Sequence, residues 1–147
     1  MKKEFVMRGQ TNSGEQEILN FSGYKPGYAY RLTEFQLYPS SAIGTASFES
    51  CGIINAGKTT AAPTDPDFND EGTIATATHN RGTGTHEGPF QTSVINDTFL
   101  ITQNLILMVQ NTGSGGTPIN WQCRFVSVKM SGPEEAVTNY KQFTISD

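Results

Sequence analysis

The sequence predicts an all-β fold, a two-sheet antiparallel β-sandwich, on three observations. From Phe99 to Met130, two runs rich in Ile, Val, Leu, Phe and Trp flank a loop of Gly, Ser, Thr and Asn, which is the composition of a β-hairpin with a flexible tip. Within the second run Ile119, Trp121, Cys123 and Phe125 alternate with Asn120, Gln122 and Arg124, the period-2 pattern of a strand with one dry face and one wet face. Finally, only 16% of residues are charged, while Gly, Ser, Thr and Asn abound, a balance that suits short strands joined by turns better than long surface helices.

The elements follow in order. Lys2 to Arg8 reads as a short first strand, and the turn residues between Gly9 and Gly14 end it. Glu17 to Phe21 resumes as a strand until Ser22, Gly23, Pro26 and Gly27 break it. Tyr28 to Tyr38 is the longest early strand. Tyr30 and Leu32 share one parity and Phe35 and Leu37 the other, so either a β-bulge between Thr33 and Phe35 or a strand bent as it crosses from one part of a sheet to another is expected. Ser47 to Ala56 is a further strand, followed by a proline-broken loop from Gly57 to Gly72. Thr73 to Thr78 predicts a short strand, His79 to Gly88 a Gly/Thr loop, and Phe90 to Ile95 a strand turning at Asn96 and Asp97. Leu105, Leu107 and Val109 alternate with Ile106 and Met108, so both faces of the next strand are apolar and it should sit centrally. After Met130, Ser131 with Glu134 fits a capping box and Pro133 is tolerated in a first turn. A short helix is expected near 133–141, with Ala136, Val137, Tyr140 and Phe143 on one stripe, and an extended arm or edge strand over Gln142 to Ser146. About eight strands and one short C-terminal helix suit a jelly-roll-like sandwich, a single domain over 1–147 with short terminal arms.

A chain of 147 residues buries roughly two-thirds of its unfolded surface without a disulfide or metal. The net charge of −4 is mild and spread out, which argues against a nucleic-acid partner. The segment MKKEFVMRGQ never becomes a secretory h-region, and no apolar run approaches the ~18 residues of a membrane span. Cys51 and Cys123 fall on apolar-patterned segments and read as free core thiols.

Gly52 to Thr59 matches G-x-x-x-x-G-K-[ST], whose amides cradle phosphates when a helix begins at the Lys-Thr. Here Thr60, Ala61, Ala62 and Pro63 follow, so a strand ending in a glycine turn is expected and nucleotide binding is not. Asp65, Asp67 and Asn69 alternate as in a calcium loop, but Asp70 stands where that loop needs Gly and Thr76 where it needs Glu. His79, His86 and Glu87 are read as exposed loop residues, because they lack the spacing of a metal site. No G-x-S-x-G stretch is present, and no catalytic, cofactor or metal residue is assigned. Tyr24, Tyr28, Tyr30 and Tyr38 with Trp121 could form a sugar-stacking platform, but tyrosine on a strand more often serves ordinary sheet packing, which is the default reading here.

The stretches GYKPGYAYRLTEFQLYPS, INDTFLITQNLILMVQ, INWQCRF and GPEEAVTNYKQFTISD together resemble small virion structural proteins of marine tailed bacteriophages, of the capsid-decorating or cement kind. The resemblance implies a jelly-roll-like sandwich on the virion capsid surface, made in the host cytoplasm, without enzymatic activity or cofactor. Its implied partners are the major capsid protein and neighbouring copies of itself, with a homo-oligomer, a trimer in particular, expected. Contacts would come from the loops 57–72 and 79–89 and above all from the terminal arms, at Phe5 and Met7 and at Phe143 and Ile145, where a lone domain has least reason to keep apolar side chains. The rival reading is a carbohydrate-binding β-sandwich module on a fibre or an enzyme.

Overall fold

The computed structural model describes residues 3–21, 27–40, 48–57, 62–81, 90–112 and 118–146. Eight strands form in chain order, β1 (Glu4–Asn12), β2 (Gln16–Leu19), β3 (Tyr28–Pro39), β4 (Phe48–Asn55), β5 (Thr73–Arg81), β6 (Phe90–Ile95), β7 (Leu105–Asn111) and β8 (Pro118–Lys129), followed by one helix, α1 (Gly132–Ser146). A three-stranded sheet runs β1-β8-β3 and a five-stranded sheet runs β2-β7-β4-β5-β6.

Among the pairings, β1 with β8, β2 with β7, and β4 with β5 are nested antiparallel pairs, outermost to innermost in sequence. The fourth nested pair, β3 with β6, lies at the seam between the sheets, where the Gln91 side-chain amide donates to the Leu37 carbonyl oxygen at 3.3 Å. A long hairpin rolled over itself gives this order, and it is the jelly roll expected from the strand count.

One expectation is corrected. The runs on either side of residues 113–117 do not form a hairpin, because β7 belongs to the five-stranded sheet and β8 to the three-stranded one. Both edges of β8 are taken by the long strands β1 and β3, and both edges of β7 by β2 and β4. Each apolar run is thus central to its own sheet, and their inward faces meet across the core. Leu105, Leu107 and Val109 on one side and Ile119, Cys123 and Phe125 on the other are all fully buried. Burial of each such side chain contributes about 1.5–3 kcal/mol, so the core is built chiefly across this interface.

Alternation is kept where it was read, and the β3 register shifts between Leu32 and Glu34, the expected bulge. There the Thr33 hydroxyl donates to the Arg124 carbonyl oxygen at 3.2 Å. The β1 strand continues past Gly9 to Asn12, because Gly9 and Thr11 stay in register with Trp121 and Ile119 instead of turning. The turn falls at Gly14, whose φ of 85° is one that glycine adopts without strain.

Two more expectations change. Residues 142–146 are helical rather than extended, since no Gly or Pro interrupts the chain between Pro133 and Ser146 and α1 simply continues. His79 is not in an exposed loop. It lies on β5 and is 6% exposed, because β5 continues to Arg81 in register with both β4 and β6. His86, Glu87 and the rest of 82–89 lie outside the described residues, as do 22–26, 41–47 and 58–61.

Candidate functional site

The strand parity of the three-stranded sheet sorts its side chains onto two faces. Phe5, Met7, Leu32, Phe35, Leu37, Trp121, Cys123 and Phe125 turn to the core. The opposite parity carries Arg8, Gln10, Gln36, Tyr38, Asn120 and Gln122, and these line an open cleft of about 730 Å³ with Gln91 from β6 at its side. Gln10 donates from Nε2 to Asn120 Oδ1 at 3.0 Å, joining β1 to β8 across this face. Tyr38 is 54% exposed, and its ring meets the His79 ring edge-on at 5.6 Å between centroids. Farther along the same face, Arg124 lies 3.5 Å from Glu34 and 4.0 Å from Glu4, surface pairs that contribute little to stability.

The five aromatics weighed as a sugar platform do not form one surface. Trp121 is 7% exposed and turned inward, and Tyr30 belongs to a ring cluster with Phe5, Phe21 and Phe125. Tyr24 lies outside the described residues. Among the described members of that set, Tyr38 alone is an exposed large aromatic on the outer face. The amides beside it were visible in the sequence only as the wet half of the alternation, and parity without topology could not say that three strands pool them.

The terminal contact residues separate into two groups. Phe5 lies on β1, half-buried, stacked on Phe125 at 5.3 Å and edge-on to Tyr30 at 5.5 Å. Met7 is likewise half-buried against the core. Neither sits on a free arm, because β1 is paired along its whole length with β8. Phe143 and Ile145 fall on the last turns of α1, and their side chains lie outside the described residues. The helix begins as the capping pattern predicts, with the Glu134 amide donating to Ser131 Oγ at 3.3 Å and Glu134 and Glu135 in the first turn, where carboxylates suit the helix dipole. The described members of its expected apolar stripe are turned to solvent: Ala136 is exposed, Val137 is 56% exposed and Tyr140 70%.

The remaining motifs resolve into local structure. Gly52 to Asn55 are strand residues of β4 paired to both β5 and β7, so these residues are committed to a sheet and do not form a phosphate-cradling loop. A Cβ on Gly52 would come within 3.1 Å of Phe35 and 3.3 Å of Leu37, which gives that glycine a packing role. Lys58 and Thr59 are outside the described residues. The acidic loop bonds to itself: Asp67 Oδ1 accepts from the Asn69 amide and Asp70 Oδ1 from the Gly72 amide, both at 2.9 Å. Among the described residues no three His, Cys, Asp or Glu side chains converge as a metal site would require, and no helix is long and apolar enough to cross a membrane.

Both cysteines are free thiols. Cys123 is in the core, where burial drives its thiol far above the ordinary range. Cys51 is only half-buried, on the outer face of the five-stranded sheet under Pro63 and Pro66. Its thiol is raised by partial burial first and by the nearby Glu49 carboxylate second, so the thiols of Cys51 and Cys123 are both protonated and poorly nucleophilic near neutral pH.

No protein-family model and no curated protein matches the sequence. Among solved structures the chain is similar to one of Desmodium yellow mottle tymovirus, at 9% identity over 88% of this chain and 89% of that one, with a TM-score of 0.39. It is similar to a chain of Cocksfoot mottle virus at 10% identity, over 93% and 96% of the two chains, with a TM-score of 0.46. It is also similar to a chain of the disulfide-linked pili that form Bacillus endospore appendages, at 12% identity over 89% and 88%, with a TM-score of 0.35.

Proposed function

We propose that this chain is a non-enzymatic structural protein of a virion, which decorates and stabilises the capsid by binding the lattice of the major capsid protein and neighbouring copies of itself. The observation that carries the reading is the exposure of Val137 and Tyr140 on α1. A jelly roll whose core is closed by its own two sheets has no need of the helix, yet the helix holds Val137 and Tyr140 at 56% and 70% exposure. Apolar side chains kept in water beside one another favour a partner surface. Phe143 and Ile145 follow them in the same helix and extend the candidate contact in sequence.

The contact moves from two free arms to one helix. Phe5 and Met7 serve it from the other terminus, by anchoring β1 so that its free edge and outer face stay rigid. A stiff body offering a helix and a strand edge can engage several neighbours at once, and shared contacts strengthen an assembly through avidity. The resemblance to decorating proteins of marine tailed bacteriophages points to their heads as the lattice and to a trimer as the attached unit.

Co-sedimentation with empty heads of such a phage tests the proposal. The wild-type chain is expected to pellet with heads and a Val137→Ser/Tyr140→Ser variant to remain in solution with an unchanged melting temperature. Failure of the wild-type chain to pellet, or full attachment by the variant, would overturn it.

A further inference from the structure

The cleft on the outer face of the three-stranded sheet has a chemistry that shell attachment does not use. Among the described residues its lining pools five side-chain amides, from Gln10, Gln36, Gln91, Asn120 and Gln122, with Arg8 as the one charged residue and no carboxylate. A carboxamide offers both donors and acceptors without charge, so this surface suits a neutral ligand rich in groups that do both. The strand beneath its middle, β8, is already paired to β1 and β3, so a ligand would meet side chains and could not add as a further strand there. With a net charge of −4 and a single cation among the described lining residues, a phosphate backbone finds little to bind.

Two of the amides are held in place. Gln10 Nε2 donates to Asn120 Oδ1 at 3.0 Å and Gln91 Nε2 to the Leu37 carbonyl oxygen at 3.3 Å. Each amide group used once still has further hydrogen-bonding capacity. Beside them the Tyr38 ring is steadied by its edge-on contact with His79 while remaining 54% exposed. A fixed aromatic ring beside a row of neutral amides complements a pyranose, whose C–H face stacks on the ring while its hydroxyls give and take hydrogen bonds. The volume of about 730 Å³ lies within the range of small-ligand clefts. We infer that this cleft binds a neutral oligosaccharide, with Tyr38 as the stacking residue and Gln36, Asn120 and Gln122 as the hydroxyl partners.

The test is an NMR titration of the full chain with neutral gluco-, manno-, galacto- and xylo-oligosaccharides and, as a charged comparison, an oligogalacturonate. At least one neutral sugar is expected to give saturable amide shifts at positions 36, 38, 91, 120 and 122. Tyr38→Ala and Gln36→Ala/Gln122→Ala should each weaken that binding about tenfold or more, a loss of about 1.4 kcal/mol, without moving the unfolding midpoint. The inference is overturned if no neutral sugar gives saturable shifts, if the shifts map to another face, if only the charged oligomer binds, or if the amide double variant keeps its affinity. Should Tyr38→Ala unfold through its contact with His79, the amide variant decides by itself. None of these readouts involves heads, so they stand or fall separately from capsid attachment.

Discussion

The indole N–H of Trp121 donates to Thr11 Oγ1 at 3.0 Å, inside the core and across two strands. Gly9, which sits directly opposite Trp121 in the β1–β8 register, makes this possible. A Cβ there would stand 2.8 Å from Cζ2 and 3.1 Å from Cε2 of the indole, so the missing side chain is the space over which the ring lies to reach Thr11.

Replacement of Thr11 by Val keeps the shape and removes the acceptor, which leaves a buried N–H unsatisfied. A loss of about 1–3 kcal/mol is expected in urea unfolding. Gly9→Ala should cost a similar amount by pushing the indole aside, about 1–3 kcal/mol. Because both changes break the same arrangement, the double variant should lose less than the sum. Additive losses would mean that the glycine and the hydrogen bond are independent.

Trp121→Ala is expected to cost about 3–5 kcal/mol, since the ring is 7% exposed and packs in the central cluster. The chain has a single tryptophan, so fluorescence of the parent protein reports on this site alone. Its emission should be blue-shifted and protected from iodide quenching. A loss below about 1 kcal/mol would place the ring at the surface.

Cys123 makes stability fall at alkaline pH. Its buried thiol stays protonated in the folded chain while the unfolded thiol ionises above about pH 8.5, so the unfolded state binds fewer protons there. The stabilisation is fully present below that pH and is lost at about 1.4 kcal/mol per pH unit above it. Cys51, raised in the same direction, adds a smaller slope. Urea unfolding from pH 7 to 10 should show a flatter alkaline decline for Cys123→Ala than for wild type, and parallel curves would contradict this.

The Gly52–Thr59 stretch is expected to bind no Mg-ATP by calorimetry, and Lys58→Ala should leave stability unchanged. Gly52→Ala, by contrast, should destabilise by about 1–3 kcal/mol, because the added methyl meets the fully buried Phe35 and Leu37. Saturable ATP binding lost in Lys58→Ala would restore the phosphate-loop reading.

Deletion of residues 142–147 should leave the melting temperature of the sandwich in place and abolish attachment to heads. If the truncated chain unfolds, the end of α1 belongs to the core. If it both folds and attaches, the contact lies elsewhere.

Much of this fold was legible from local pattern. Alternation placed Trp121, Cys123 and Phe125 in the core, the parity slip marked the bulge beside Thr33, and Ser131 marked the start of α1, because each of these depends on residues close in sequence. The two apolar runs on either side of residues 113–117 carried an ambiguity that composition does not remove, since a hairpin and a pair of facing strands bury the same side chains. Their partners decided between the two. Once β1 and β3 take both edges of β8, and β2 and β4 both edges of β7, no edge is left for β7 and β8 to share.

By itself, then, the sequence determined which strand faces are dry, where β3 bulges and how the helix is capped, all of which are settled within a few residues by sterics, hydrogen-bonding groups and hydrophobic periodicity. Only the tertiary structure decided which wet faces act together. Gln10, Gln36 and Asn120 are far apart in the chain and become one surface because the roll lays β1 and β3 on either side of β8. It also decided that Phe5 belongs to a ring cluster while Val137 and Tyr140 remain in water, because the sandwich closes its core with its own two sheets and leaves the helix stripe uncovered.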